Sequence, residues 1–325
     1  MGELERLRAD LYAAVRNACL EEARELADGE PDLPLPTEAA IDEFSRWIST
    51  SAAPVANMRL APQTQPFALG ASRLIAAPDM PDRLAWPSHN GQPLAFLAQI
   101  DLSTLPGGID WPVPRRGWIY FFLGTTTGSI EEGDPDASPN RTLFFNGDRP
   151  ELRPRQLPQG ITVPNEFKRA VPYSVSFELG LSVPMGNAGE IDTPWYQVPG
   201  MDGLDLGDLL LDRTPQIIPE DKSRMFGLPR NDQINDAQVE AASTMAEYAA
   251  ATARKSLLER MMAPFRTPKP QPGPEQEAKH WCSLLSIGYI PDQFRWGDAQ
   301  TYRVLVDERK ARAGDFSQTF IYVSD

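Results

Sequence analysis

The stretch LAFLAQID, residues 94–101, decides how the chain is interpreted. It has the length and the apolar content of a buried β-strand, and the sequence HNG at residues 89–91 before it has the chemistry of a tight turn. The run WIYFFL at residues 118–123 predicts a second buried strand of the same kind. Together the two runs predict a β-rich core.

Other parts of the chain extend this core. Between about residue 55 and residue 200, short apolar runs alternate with Gly, Pro, Asn and Asp, which is typical of short strands joined by turns. The end of the chain returns to the same pattern. The predicted strands lie at residues 55–60, 94–100, 117–123, 141–145, 173–178, 281–287, 302–306 and 319–323.

Helices are predicted at the start and in the second half of the chain. Apolar residues recur at three- and four-residue steps over residues 3–28, and Gly29 ends that pattern. Thr37 then caps a second helix. A short helix is predicted at residues 201–211, and a long one at 236–264, which holds no Pro or Gly. The fold class is therefore α+β, with an N-terminal helical pair at residues 1–52 and an α+β domain over residues 53–325.

A weak internal similarity links the two strand-rich ends. Residues 94–100, LAFLAQI, resemble residues 281–287, WCSLLSI, and each run precedes a second strand after a turn-rich insert. One interpretation is a duplicated β-unit, and the other is that any two hairpins look this similar. The sequence leaves both interpretations open.

The amino-acid composition limits which binding partners and which cellular compartment are expected. The formal net charge is −14, so we expect no nucleic-acid binding and favour a basic protein partner. The most basic stretch, RPELRPR at residues 149–155, is short and is diluted by Pro and Glu. With only two cysteines, no long apolar run and a charged N-terminus, the chain predicts a cytoplasmic protein without a membrane segment.

Three segments resemble the YwqG-like family of uncharacterised bacterial proteins. They are SRLIAAPDMP at 72–81 with AWP at 85–87, GQPLAFLAQIDL at 91–102, and WGDA at 296–299 with DFS at 315–317. Ile75 and Ala76 stand where the family usually has a Gly pair, and FGLP at 226–229 stands in place of a Gly-Tyr-Pro segment. The resemblance implies an α+β fold with a β core and no established reaction. It also implies an association with toxin–immunity and scaffold proteins.

Four polar or aromatic residues are the candidates for a ligand pocket: Gln99, Asp101, Trp296 and Asp298. Gln99 and Asp101 flank Ile100 and so point to one face of their strand. The functional interpretation is a polar pocket that the two ends of the chain share. The structural interpretation, which we favour, is that Gln99 satisfies buried backbone groups and Asp298 accepts hydrogen bonds from turn amides.

The sequence indicates no catalytic set, no metal site and no cofactor. It has no nucleophile elbow and no phosphate-binding glycine loop, and His89, His280 and Cys282 are too few and too far apart for zinc. We therefore expect a non-catalytic protein-binding module, immunity-like or scaffold-like, rather than an enzyme. The alternative is a small-ligand-binding protein, or an enzyme that uses Asp101 and Asp298 in a cleft between two β-units. Oligomeric state is not predicted.

Overall fold

The structure of the protein is a computed structural model that describes residues 2–29, 34–124, 140–161, 170–183, 200–201, 204, 223–228, 241–244, 273–290 and 301–324. The chain divides into two compact units. Unit 1 comprises Met1–Asn57, Pro106–Ile109 and Glu178–Ile234, and unit 2 comprises Met58–Leu105, Asp110–Phe177 and Asn235–Asp325.

The helices in the described part of the chain are α1 (Glu3–Gly29), α2 (Glu38–Ser51), α3 (Pro274–Ala278) and α4 (Glu308–Arg312), with short 3₁₀ helices at Leu102–Thr104 and Arg149–Glu151. The strands there are β1 (Ala53–Pro62), β2 (Arg73–Leu74), β3 (Asp79–Pro81), β4 (Ser88–His89), β5 (Gln92–Pro93), β6 (Ala95–Asp101), β7 (Trp118–Leu123), β8 (Arg141–Phe145), β9 (Leu152–Pro154), β10 (Tyr173–Ser182), β11 (Arg224–Phe226), β12 (Trp281–Gly288), β13 (Thr301–Asp307) and β14 (Thr319–Ser324).

Unit 1 contains the two predicted N-terminal helices. Thr37 is the N-cap of α2, where its hydroxyl accepts a hydrogen bond from the Ala40 amide at 3.2 Å. Residues 55–57 of β1 pair antiparallel with β11 in this unit. The apolar faces of the helices share one core with four residues from later in the chain, Leu181, Val183, Met201 and Leu204.

Unit 2 contains most of the β-structure. Antiparallel pairing runs in the order β10, β2, β6, β7 and β8, and a β-bulge at Leu97 interrupts the β6–β7 register. One side of these strands carries a core made largely of aromatic side chains: Met80, Leu94, Phe96, Trp118, Tyr120, Phe122, Phe145 and Leu152. The HNG turn connects β4 to β5, with φ of 49° at Asn90 and 78° at Gly91.

The end of the chain adds a second antiparallel group, β12, β13 and β14, to unit 2. The DFS segment fixes it to the first group, because Phe316 packs against Phe144 of β8 with ring centroids 5.4 Å apart. Gly314, with φ of 78°, allows this approach, since a Cβ there would lie 2.9 Å from the Phe144 ring. The two strand-rich ends of the chain therefore meet within this unit.

The α+β class agrees with the structure, and a strand is present at each predicted position. The prediction missed the strands of two or three residues, β2 to β5, β9 and β11, because such short runs carry no periodic pattern. Residues 241–244 of the predicted long helix are helical. The rest of that helix and most of residues 201–211 lie outside the described residues. In the described part of the chain, no helix combines the length and the apolarity that a membrane crossing requires.

Candidate functional site

The candidate site is a buried polar cluster on one face of β6 in unit 2. Gln99 and Asp101, the two predicted residues on this strand, have relative exposures of 0% and 2%. The alternation of a strand places both side chains on one face. Gln99 bonds to the loop before β3, and Asp101 bonds to Ser103 and Arg149. Buried polar groups are stable only when they are hydrogen-bonded, so their partners show what the cluster does.

A buried ion pair between Arg73 and Asp79 is the centre of this cluster. The guanidinium of Arg73 binds the Asp79 carboxylate and also donates to the backbone carbonyls of Ala68, Ala71 and Ala77 at 3.0–3.1 Å. The carboxylate also accepts a hydrogen bond from the Gly70 amide at 2.6 Å. The pair therefore holds the loop between residues 68 and 79 in one conformation.

Gln99 connects this loop to β6. Its side-chain oxygen accepts a hydrogen bond from the Asp79 amide at 2.7 Å, and its nitrogen donates to the Ala71 carbonyl at 2.9 Å. Tyr120 of β7 donates its hydroxyl to the Asp79 carbonyl at 2.8 Å. Gln99 thus satisfies buried backbone groups, which is the role that the structural interpretation assigns to it.

Asp101 is occupied on both carboxylate oxygens. Its Oδ1 accepts from the Ser103 amide at 3.0 Å and from the Ser103 hydroxyl at 2.6 Å, which caps the 3₁₀ helix Leu102–Thr104. Its Oδ2 accepts from the Arg149 guanidinium at 2.5 Å. All of these bonds come from within the protein, so both oxygens of Asp101 hold the local structure in place.

Arg149 forms the solvent-facing edge of the cluster. Its side chain is 48% exposed and lies over the Trp118 ring at 5.7 Å, while its Nη1 donates to the Leu69 carbonyl at 2.6 Å. The Trp118 indole donates to the Gly70 carbonyl at 2.8 Å. Gly70 adopts a φ of 74°, and a Cβ there would lie 2.9 Å from a side-chain carbon of Leu152.

Burial sets the protonation of the inner groups. Burial lowers the pKa of the Arg73 guanidinium, and the charge of Asp79 counteracts that effect. Burial also raises the pKa of Tyr120, so this hydroxyl remains a neutral donor at neutral pH. Each group in the interior of the cluster thus serves a fixed hydrogen bond.

The structure describes two of the four residues predicted for a ligand pocket, and the pocket itself stays a prediction. Gln99 and Asp101 share one cluster, whereas Trp296 and Asp298 lie outside the described residues. Sequence analysis missed Arg73, Asp79 and the partner role of Arg149. The one signal for them was the basic stretch at residues 149–155. In the described part of the chain, no three His, Cys, Asp or Glu side chains are gathered closely enough to hold a metal ion.

A known protein family matches most of the chain. A family described as a domain of unknown function, DUF1963, matches residues 72–324. This range includes the three segments on which the YwqG-like resemblance depends, while the YwqG-like name and a bacterial origin stay predictions. No curated protein matches the chain.

Proposed function

The chain belongs to the DUF1963 family of domains of unknown function, and on that premise we propose that it is a non-catalytic module that binds a basic protein partner. The proposal includes the immunity-like or scaffold role and the cytoplasmic location expected from the sequence. Two features support it: the internal use of the buried carboxylates, and the charge distribution along α1.

The buried carboxylates support a binding module more than an enzyme. Asp79 and Asp101, the buried carboxylates of the β6 cluster, accept hydrogen bonds from arginines and from backbone amides. Such charge-assisted bonds hold a side chain in one orientation, as a structural role requires. The alternative, a ligand-binding or enzymatic cleft with Asp298, stays a prediction.

The observation that carries the proposal is the acidic end of α1. Residues 21–28 contain Glu21, Glu22, Glu25 and Asp28 against the single basic residue Arg24. The last turn of the helix contains no basic residue. The C-terminal end of a helix carries a partial negative charge, and the effect is confined to the last turn, so Asp28 there destabilises the helix by about 0.3–1 kcal/mol.

This charge arrangement opposes the stability of the helix. The opposite end of α1 carries Glu3 and Glu5 in its first turn, where the helix dipole favours acidic residues. Functional sites are places where stability is traded for activity or binding. An exposed acidic helix end suits a partner rich in Lys and Arg, and such complementarity accelerates association.

The test uses charge reversal at the two ends of the same helix. We expect Glu22→Lys/Asp28→Lys to raise the thermal midpoint and to weaken partner binding. The matched control, Glu3→Lys/Glu5→Lys, makes the same change in charge at the other end. It should lower the midpoint and leave binding intact.

Affinity capture from the source organism's lysate at low salt supplies the partner, which is then purified and titrated by calorimetry. The expected partner is basic, binds wild type and the control equally, and binds less tightly as salt rises. The proposal fails if capture returns no specific basic protein. It also fails if the purified partner binds the Glu22→Lys/Asp28→Lys variant as tightly as wild type.

A further inference from the structure

We infer that residues 53–145 and 173–324 are two copies of one β-unit, and that the same arginine-closed loop stabilises each copy. Each copy begins with a long strand, β1 or β10, and has a short strand at the start of its arginine loop, β2 or β11. The long strand of each copy pairs with the short strand of the other copy. This inference concerns how the protein is built, and it does not depend on the proposed function.

The loop sequence occurs twice in the chain. Residues 72–78 read SRLIAAP and residues 223–229 read SRMFGLP, so Ser, Arg and Pro recur at the same positions. The first Ser-Arg begins β2 and the second begins β11. The chain therefore contains two matched pairs of segments: residues 94–100 match residues 281–287, and residues 72–78 match residues 223–229.

The backbone repeats at the same position of both loops. Ile75 has a φ of 51° and Phe226 has a φ of 63°. Each is the fourth residue of its seven-residue segment, residues 72–78 or 223–229. Such left-handed backbone is rare for bulky side chains. Asn90 is the remaining residue other than glycine with positive φ in the described part of the chain. Two of these three unusual residues thus occupy equivalent positions.

The arginine closes each loop with the same hydrogen bond. Arg73 donates to the carbonyl of Ala77 at 3.0 Å, and Arg224 donates to the carbonyl of Leu228 at 3.2 Å. Each bond spans four residues and encloses the left-handed residue. Both arginines are buried, with exposures of 4% and 8%. The guanidinium therefore holds the turned backbone in both copies.

A β-bulge repeats at the next strand. The register between β6 and β7 shifts at Leu97, and the register between β12 and β13 shifts at Leu284. When LAFLAQI is aligned with WCSLLSI, both leucines are the fourth residue. Bulges re-aim a strand and are designed features of a fold, so their coincidence favours duplication over chance similarity.

The pairing of the strands shows that the two copies exchange their first strands. In β2, Arg73 lies opposite Ser174 of β10, and in β11, Arg224 lies opposite Asn57 of β1. The first strand of the second copy thus pairs with the loop strand of the first copy, and the reverse holds as well. A small polar residue faces the arginine in both ladders.

Residues that differ between the copies can be distinguished from residues that both copies share. At the positions of Gln99, Asp101, Trp118 and Tyr120, the second copy has Ser286, Gly288, Thr301 and Arg303, by the alignment of the paired strands. Residues that both copies keep serve the common fold. Asp101 and Trp118 of the first copy form an edge with Arg149, which lies between the copies, and the second copy keeps neither residue, so a function specific to one copy would use this edge.

The test compares equivalent arginines with an arginine outside the repeat. Lysine keeps the charge but lacks the planar fork of five donors through which arginine reaches several carbonyls at once. We expect Arg73→Lys and Arg224→Lys each to lower the thermal midpoint by about 5 °C or more. Arg149→Lys, the matched control at an exposed side chain, should change it by less than about 2 °C. A midpoint for Arg224→Lys equal to that of wild type would overturn the inference.

A second measurement does not depend on the variants folding. Backbone φ at residues 75 and 226 of the wild-type protein follows from ¹³C chemical shifts and three-bond couplings in isotope-labelled protein. Positive φ at both residues supports two equivalent loops. A negative φ at either residue removes the equivalence.

Discussion

Replacement of Asp79 by Asn tests the role of the buried ion pair most directly. Asparagine has nearly the shape of aspartate and can still accept the hydrogen bond from Gly70. The substitution removes the charge that balances Arg73, which is only 4% exposed. The free energy of unfolding therefore reports the cost of an unbalanced buried cation.

The structure sets the expected size of the loss. Leaving one member of a buried ion pair without its partner destabilises a protein by about 3–5 kcal/mol. Backbone carbonyls that accept from Arg73 soften this loss and place it near the lower bound. A loss of about 3 kcal/mol shifts the thermal midpoint of a unit of this size by about 10 °C.

Chemical denaturation measures the loss for Asp79→Asn, for Arg73→Met and for the double variant. Because the two side chains contact each other, the double variant should be at least about 2 kcal/mol more stable than the sum of the single losses predicts. Asp82→Asn, an exposed carboxylate next to β3, is the control and should stay within about 0.5 kcal/mol of wild type. A loss below about 1 kcal/mol for Asp79→Asn would refute the reasoning, and so would strictly additive losses.

Three further predictions concern the edge of the cluster and the DFS segment. Asp101→Ala should destabilise by about 1–2 kcal/mol in urea titrations, because a cap and an exposed arginine contact are lost; an unchanged free energy of unfolding would contradict the cap role. Gly70→Ala should destabilise by about 1–3 kcal/mol, since its φ is positive and its Cβ would approach Leu152; an unchanged midpoint would contradict this. Hydrogen bonds from the Ser317 side chain and amide lower the pKa of Asp315 in the folded protein. The ionised carboxylate therefore stabilises the folded state above the unfolded pKa of about 4, and this stabilisation is lost as pH falls through the lower folded pKa. The carboxyl ¹³C shift of Asp315 follows this titration, and Ser317→Ala should move its midpoint up toward pH 4; an unmoved midpoint would contradict the assignment.

The elements that the sequence predicted are those with a local signal. Thr37 is followed by an amphipathic run, so the start of α2 can be predicted from adjacent residues. The β7 run is apolar and aromatic throughout, and the β6 run is apolar apart from Gln99 and Asp101, because both faces of each strand are buried. In each case the residues that determine the structure are neighbours in the chain.

The contacts that sequence analysis missed join distant residues. Arg149 and Asp101 are 48 residues apart, and no pattern in either segment names the other as its partner. β2 is two residues long and is fixed by the side chain of Arg73 rather than by periodicity. The sequence does show that Ile75 differs from the resembled family, which has glycine at this position. Its meaning, a left-handed backbone, required the structure.

The exchange of first strands has a consequence for synthesis on the ribosome. Val55 of β1 pairs with Phe226 of β11, about 170 residues later in the chain. β10 lies on the other side of β1 and is synthesised earlier. At a translation rate of about 5–20 residues per second, the edge of β1 that pairs with β11 stays unpaired for roughly 10–30 s. During that interval its backbone can pair with another nascent chain. Chaperone dependence during translation should therefore be greatest before residue 226 emerges, and shortening the chain ahead of that point should favour aggregation over folding.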